Sequence, residues 1–429
     1  MKRTLINELN ENEESKISGW AKKIRNTKYM YFIVLEDRSG KIQVSIEKEN
    51  NEEMTSKLEG ILTDSIIEFT GTMVKSEYVK DGGKEFIPTS LNVISASDVS
   101  PIEDNANIDT RLNYRWIDLR SEKNNLMLKV QSKIVEAMRE YLYKEDFVEI
   151  HTPKLIGAAS ESGSEVFEVK YFDGKAYLAQ SPQFYKQMAL ASGLERVFEV
   201  APAFRAENSN TNRHATEFTS FDLELSYIDS YEDVMSLEED LIIYSLSKVK
   251  ECYGDKIKEL FNEEVIVPTK PFPRIKLNDL YEELHKRYNY TIPSEDVGDM
   301  NAETEKLTYK YAMEEYNSEF IFVTDFSKTK RAFYHMRKDD IPQGYDLIWK
   351  GTEITTGAQR EHRYEVLRKQ CEEKGLTKDV EFYLNFFKYG CPAHGGFAIG
   401  IDRFNMLLLN IPSVKEEMFI FRGPNRLTP

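Results

Sequence analysis

Two arginines far apart in the chain, Arg205 and Arg403, lie in segments whose residue types suit the gripping of a triphosphate. Arg205 is the second residue of FRAENSNTNRHATEFTSFDLE (Phe204–Glu224), which adds Glu207, Arg213, His214, the aromatic Phe218 and an alternating acidic strand. Arg403 lies near the end of GFAIGIDRF (Gly396–Phe404), at the start of an apolar segment. A guanidinium presents a planar fork of donors matched to phosphate oxygens and stays charged. No GxxxxGK[ST] segment occurs, so phosphate-loop cradling is not on offer. A lone arginine in apolar surroundings is more often part of an internal ion pair, here with Asp402 or Glu207, because burying it unpaired is costly.

Other segments supply complementary chemistry. Phe218 has a face on which a purine could stack, although core packing is the commoner fate of a phenylalanine. Glu353 and Thr356, three apart in TEITTGAQREHR, offer oxygen ligands of the kind Mg²⁺ takes alongside phosphate oxygens. SPQFYKQ places Gln183 and Lys186 three apart, hence on one helix face. Lys186 and Arg360 are two cations able to converge on a small carboxylate and to select against its amide counterpart, while a solvated surface is the usual place for a lysine. The six histidines are scattered without an HExxH, and no GxSxG occurs. Zinc hydrolysis and a covalent serine mechanism are therefore disfavoured.

Bulk properties set outer limits. A chain of 429 residues with 41% hydrophobic and 12% aromatic content predicts a folded protein of two or three domains. Its longest apolar runs are too short to span a bilayer, and the N-terminus lacks the apolar core of a secretory signal. Three widely spaced cysteines argue against a disulfide framework. The expectation is a cytoplasmic protein with no membrane association. Net charge of −16 speaks against non-specific nucleic-acid binding but not against a locally recognised RNA.

The elements that must position these residues follow from periodicity. Residues from about 16 to 96 read as five short strands with a small amphipathic helix near Met54–Leu62, a pattern matching an oligonucleotide-binding barrel or another small β-barrel. Residues 101–125 read as a polar hinge. Apolar residues at Leu126, Val130, Ile134, Met138 and Leu142 predict a long helix over 126–144, and a second helix is expected over about 231–253. The domain expectation is 1–100, a linker over 101–125, and 126–429 with an insertion at about 255–345.

Taken together, these segments resemble the class II aminoacyl-tRNA synthetases, and within them the archaeal/eukaryotic-type aspartyl-tRNA synthetases, over essentially the whole length. The first class motif is matched by the long helix and DFVEIHTPKLI with Pro153, the second by FRAEN…RHATEFTSFDLE, and the third by GGFAIGIDRF. The resemblance implies an α+β fold, an antiparallel sheet flanked by helices and preceded by an OB-fold barrel. It implies ATP binding by Arg205, Glu207, His214, Phe218, Glu353 and Arg403, with Arg205 and Arg403 as the catalytic arginines. It implies aspartate binding by Glu161, Gln183, Lys186, Arg205, Asp222, Thr356 and Arg360, and Mg²⁺ binding by Glu353 and Thr356. Anticodon contact would fall to Arg25, Phe32 and Gln43. L-aspartate, ATP and tRNA(Asp) are the implied substrates, and a homodimer the implied assembly.

Departures from the family pattern are few. Ala398 and Asp402 stand where archaeal-type relatives often have Gly and Glu. Gly19–Trp20–Ala21–Lys22 lacks the second Trp that marks relatives restricted to tRNA(Asp), which leaves tRNA(Asn) open as a second acceptor. The nearest alternative, an asparaginyl-tRNA synthetase, typically lacks the lysine of SPQFYKQ and reads SQREER where this chain has AQREHR. A paralogue acting as a non-tRNA ligase or an RNA-binding regulator typically loses the barrel or the motif arginines, which are present here.

Overall fold

The computed structural model describes residues 2–79, 82–103, 105–157, 165–209, 211–376 and 380–429. These form two compact units, Met1–Asn105 and Ala106–Pro429.

In the first unit, strands β1 (Glu14–Asn26), β2 (Met30–Asp37), β3 (Gly40–Glu47), β4 (Ile66–Lys75) and β5 (Lys84–Ser95) close a barrel in the order β1-β2-β3-β5-β4. The period of two sends Ile33, Leu35, Val44, Ile46 and Phe69 inward and leaves Phe32 and Gln43 on the outer face. The expected helix is α1 (Glu52–Leu58), which adds Met54 and Leu58 to the barrel core.

The strands of the second unit are β6 (Val148–Glu149), β7 (Leu155–Ile156), β8 (Glu168–Tyr171), β9 (Gly174–Leu178), β10 (Arg196–Phe204), β11 (Glu217–Ser226), β12 (Arg274–Lys276), β13 (Phe320–Thr324), β14 (Arg337–Lys338), β15 (Ile341–Pro342), β16 (Gly344–Trp349), β17 (Thr352–Arg360) and β18 (His394–Gly400). Eight of them form one sheet in the order β12-β13-β16-β17-β18-β11-β10-β6. Its interior is antiparallel, and only the outermost pairs, β12 with β13 and β10 with β6, are parallel.

Helices α2 (Ile108–Asn113), α3 (Arg115–Asp118) and α4 (Glu122–Lys144) lead into this sheet, followed by α5 (Gln183–Ala191), α6 (Tyr231–Phe261), α7 (Leu277–Tyr288) and α8 (Ala302–Tyr316). Then come α9 (Tyr364–Glu373), α10 (Glu381–Phe387), α11 (Ile401–Leu408) and α12 (Val414–Glu417). Ser121 caps α4, and Ser230 with Asp233 forms a capping box on α6. Val130, Ile134, Met138 and Leu142 of α4 join Leu241 and Leu246 of α6 against Phe221, Leu223 and Phe397 of the sheet. Each such buried side chain contributes about 1.5–3 kcal/mol relative to exposure. The opposite face of β11 and β18 is thereby left for polar work.

The structure differs from the sequence reading in two places. The expected hinge at 101–125 is largely helical, and Arg115 within it is buried, paired with Asp118 and donating to the carbonyls of Glu416, Met418 and Phe419. Its polar composition reflects buried ion pairing, which a solvent-exposed linker would share. The expected insertion at 255–345 begins inside α6 and supplies β12 and β13 to the main sheet, so it is integral to this unit.

Candidate active site

Strand β11 runs down the site with alternate residues turned into it. Phe218, Ser220, Asp222 and Glu224 occupy one face, while Phe221 and Leu223 face the helical core. Two residues of strand advance roughly 6.8 Å, so these four side chains form a ladder from the cleft mouth to the deep interior. The upper rungs belong to a cleft lined by Arg205, Glu207, Arg213, His214, Phe218, Ser220, Glu353, Thr356 and Arg403.

In the cleft, the Arg205 guanidinium lies 5.3 Å from the Phe218 ring centroid. Such stacking holds the fork without consuming its charge. Arg403 donates to the Glu353 carbonyl at 2.7 Å and, at 3.4 Å, to the Arg213 carbonyl. Among the described residues neither arginine forms a salt bridge, so the alternative of an internal ion pair with Asp402 or Glu207 is not what the structure shows. Asp402 instead accepts from the Thr219 backbone N–H at 2.8 Å and from Gln131 at 2.9 Å. Burial lowers the basicity of Arg403, against the pull of Glu353, so an anion arriving there gains a desolvated cation. Burial, then Arg403 and Arg213, hold His214 below the ordinary imidazole range and keep it neutral at pH 7.

Glu353 and Thr356 should face opposite sides of a regular strand, being three apart. A register shift resolves this: Leu347 pairs with Thr355 and Ile348 with Glu353, which leaves Ile354 as an extra residue. The bulge turns both oxygen donors to the cleft, and Thr356 Oγ1 lies 3.1 Å from Glu353 Oε1. It also lies 2.9 Å from Asp346 Oδ1, a carboxylate that Arg331 grips with both guanidinium nitrogens at 2.8 and 2.5 Å.

Below the cleft is a buried charged cluster. Lys186, carried by α5, is wholly inaccessible and lies 2.9 Å from Asp222 and 3.4 Å from Glu224. Arg360 reaches the other oxygen of Glu224 at 2.8 Å and donates to the Gly396 carbonyl at 2.9 Å. Gln183 touches the same group, 3.3 Å from Glu224 and 3.4 Å from Arg360. Burial alone would raise the Glu224 carboxyl, but Arg360 and Lys186 together hold it below the usual range. Gly396 admits this cluster: a Cβ there would sit 2.1 Å from the Leu223 carbonyl and 2.6 Å from Glu224 Oε2. Two cations here balance two carboxylates, and Ser220 in the cleft floor donates to Asp222 at 2.5 Å, linking the two levels.

The structure thus brings Arg205, Glu207, His214, Phe218, Glu353, Thr356 and Arg403 to one cleft, and Gln183, Lys186, Asp222 and Arg360 together beneath it. Glu161 lies outside the described residues. On the barrel, Arg25 and Phe32 are cross-strand partners with the guanidinium 4.4 Å from the ring centroid. Gln43 follows on the adjacent strand, 3.2 Å from Ser45. Sequence reasoning assigned no role to Glu224, Ser220, Asp346, Arg331 or Arg213. The alternation of DLE with Asp222 was a usable signal for Glu224; nothing local signals Arg331.

Comparison with known proteins fits this geometry. Residues 16–94 match an OB-fold nucleic acid binding domain. The aspartate–tRNA(Asp/Asn) ligase of Aeropyrum pernix is 38% identical over 425 residues, 96% of this chain and 95% of that protein. The aspartate–tRNA(Asp) ligase of Pyrococcus furiosus is 38% identical over 96% of both. Among solved structures, asparaginyl-tRNA synthetase from Pyrococcus horikoshii with asparaginyl-adenylate superposes with TM-score 0.92 at 30% identity, covering all of both chains. Since residues 107–421 match the tRNA synthetases class II (D, K and N), and full-length relatives agree, the chain belongs to that family.

Proposed function

We propose that the protein attaches L-aspartate to tRNA(Asp) through an aspartyl-adenylate made from ATP, with tRNA(Asn) as a second acceptor. The observation that carries this reading is the meeting of Lys186 and Arg360 at the two oxygens of the buried Glu224, below a cleft rich in arginine. A side-chain carboxylate can accept from both donors with both oxygens, whereas a carboxamide offers one acceptor oxygen and turns an NH2 donor toward a cation.

In this reading Phe218 stacks on adenine, Arg205 holds the α-phosphate beside the amino acid's α-carboxylate, and Arg403 takes the γ-phosphate. Neutral His214 and Glu207 contribute hydrogen-bonding groups to the nucleotide. Asp222 faces the substrate ammonium, and Glu161 contacts substrate. The α-carboxylate oxygen attacks the α-phosphorus in line and pyrophosphate departs. The terminal ribose hydroxyl of tRNA then attacks the activated carbonyl and AMP leaves. Two fixed arginines stabilise the charge that builds on the phosphoryl oxygens, and positioning does the rest.

Glu353 and Thr356 fit Mg²⁺, which prefers a few oxygen donors and completes its shell with water and phosphate. When bound, Mg²⁺ would neutralise triphosphate charge. Arg25, Phe32 and Gln43 fit an unpaired anticodon base, by stacking and edge hydrogen bonds. A homodimer through the first motif is supported by the exposure of Tyr143, Val148 and Leu155 within it.

The deciding experiment incubates the enzyme with ATP, labelled aspartate and purified tRNA(Asp) or tRNA(Asn). Label on both tRNAs is expected. No label on either tRNA would overturn the reading, and label on tRNA(Asp) alone would limit the scope to one acceptor.

A further inference from the structure

One buried carboxylate that the mechanism leaves unused holds two residues that line the cleft. Glu305 is borne on α8, in the segment first read as an insertion, and is only 3% exposed. Its Oε2 accepts from Arg213 Nη1 at 2.5 Å and from the Glu353 backbone N–H at 2.9 Å. The Glu353 carbonyl in turn accepts from Arg403, and so does the Arg213 carbonyl. Arg403, Glu353, Glu305 and Arg213 therefore close a ring. The ring ties together the loop between β10 and β11, the bulge in β17, the start of α11 and the distant helix α8.

Each link has a physical consequence. Arg213 lines the cleft, and its pair with Glu305 uses one nitrogen of the fork. A side-on partner orients a guanidinium while leaving its other donors for a phosphate. The two peptide units flanking Glu353 are both held, its N–H by Glu305 and its carbonyl by Arg403, which fixes where the carboxylate points. Asn301 caps α8 four residues before Glu305, accepting from the N–H groups of Glu303 and Thr304, so the carboxylate is borne on a rigid helical turn.

We propose that Glu305 is a positioning residue for nucleotide binding: it presents Arg213 to the triphosphate and sets the orientation of Glu353. This rests on the reading of the cleft as the ATP site. Glutamine at 305 keeps an oxygen for the Glu353 N–H but removes the charge that holds Arg213. Leucine removes both.

The test is a double-mutant cycle read by ATP binding, measured by equilibrium dialysis in EDTA so that no metal is involved. Glu305→Gln is expected to weaken ATP binding about tenfold, as is Arg213→Met. Combined, they should be no weaker than Arg213→Met alone, because Glu305 acts through Arg213. Multiplying effects would overturn the proposal. In ATP–pyrophosphate exchange, Glu305→Leu should raise the half-saturating Mg²⁺ concentration at least fivefold, while Glu305→Gln keeps the wild-type value. An unchanged Mg²⁺ requirement in the leucine variant would refute the Glu353 limb. If that variant does not fold, the glutamine cycle still decides the Arg213 limb. Wild-type protein that neither binds ATP nor exchanges pyrophosphate would refute the ATP-site reading itself, a result distinct from either failure.

Discussion

Replacing Lys186 by methionine separates the two levels of the site. The side chain is fully buried, and its ammonium lies 2.9 Å from Asp222 and 3.4 Å from Glu224. Methionine matches the aliphatic stem, so packing against α5 neighbours is largely kept. What is lost is one of two cations facing two carboxylates. Leaving a buried charge without its partner costs about 3–5 kcal/mol of stability, and Asp222 bears most of it. For substrate, the loss is a charge-assisted hydrogen bond of about 1.5–3 kcal/mol plus the repulsion between a β-carboxylate and the Asp222 and Glu224 carboxylates that Lys186 no longer offsets. Together these amount to about 4 kcal/mol, or roughly a thousandfold in kcat/KM for aspartate activation. The assay is aspartate-dependent ATP–pyrophosphate exchange, run beside equilibrium dialysis of ATP and a thermal melt. Exchange should collapse while the ATP dissociation constant stays within threefold, since the cleft residues lie higher on β11. An aspartate KM within threefold of wild type would refute the pocket assignment. Equal loss of ATP binding in a folded variant would refute the separation of levels.

On the barrel, Phe32→Ala should reduce kcat/KM for tRNA charging about tenfold or more, the loss of one stacked base at about 1–3 kcal/mol. Pyrophosphate exchange should be unchanged; equal loss of both would contradict an independent anticodon reader. Glu238, fully buried on α6 and accepting from Tyr345 at 2.7 Å, is pushed by burial up to about 8 from 4.5. The folded state then binds more protons than the unfolded state between those values, so stability falls as pH rises through that window. Glu238→Gln should therefore raise Tm relative to wild type, by more at pH 8 than at pH 6, on the order of a few kcal/mol at the alkaline end. Equal Tm differences at both pH values would show that Glu238 does not titrate in this range.

Much of the architecture was legible in the chain. The period of two in β1 to β5 and in β11, and the 3.6 period of α4, are direct consequences of one-sided burial, so sequence alone located them. Arg205 and Arg403 stood out because charges beside apolar segments demand a reason. Three features were not legible, each for a tertiary cause. The bulge at Ile354 is set by the register against β16, and without it Glu353 and Thr356 would face apart. Arg115 lies in a segment that reads as a linker, because its carbonyl partners are supplied by Glu416, Met418 and Phe419 some three hundred positions away. Glu305 reads as an ordinary helix-face carboxylate until Arg213 is seen beside it.

The central claim is that Lys186 and Arg360 read a carboxylate and not its amide. Its most direct test is the ratio of kcat/KM for L-aspartate over L-asparagine in ATP–pyrophosphate exchange with wild-type enzyme. Asparagine would turn an NH2 donor toward a buried cation and leave one of the site's donors without an acceptor, a mismatch that hydrogen-bonding sites reject by about 10⁴-fold or more. A ratio of that order is the expected result. A ratio within tenfold of unity, or a preference for asparagine, would contradict the account.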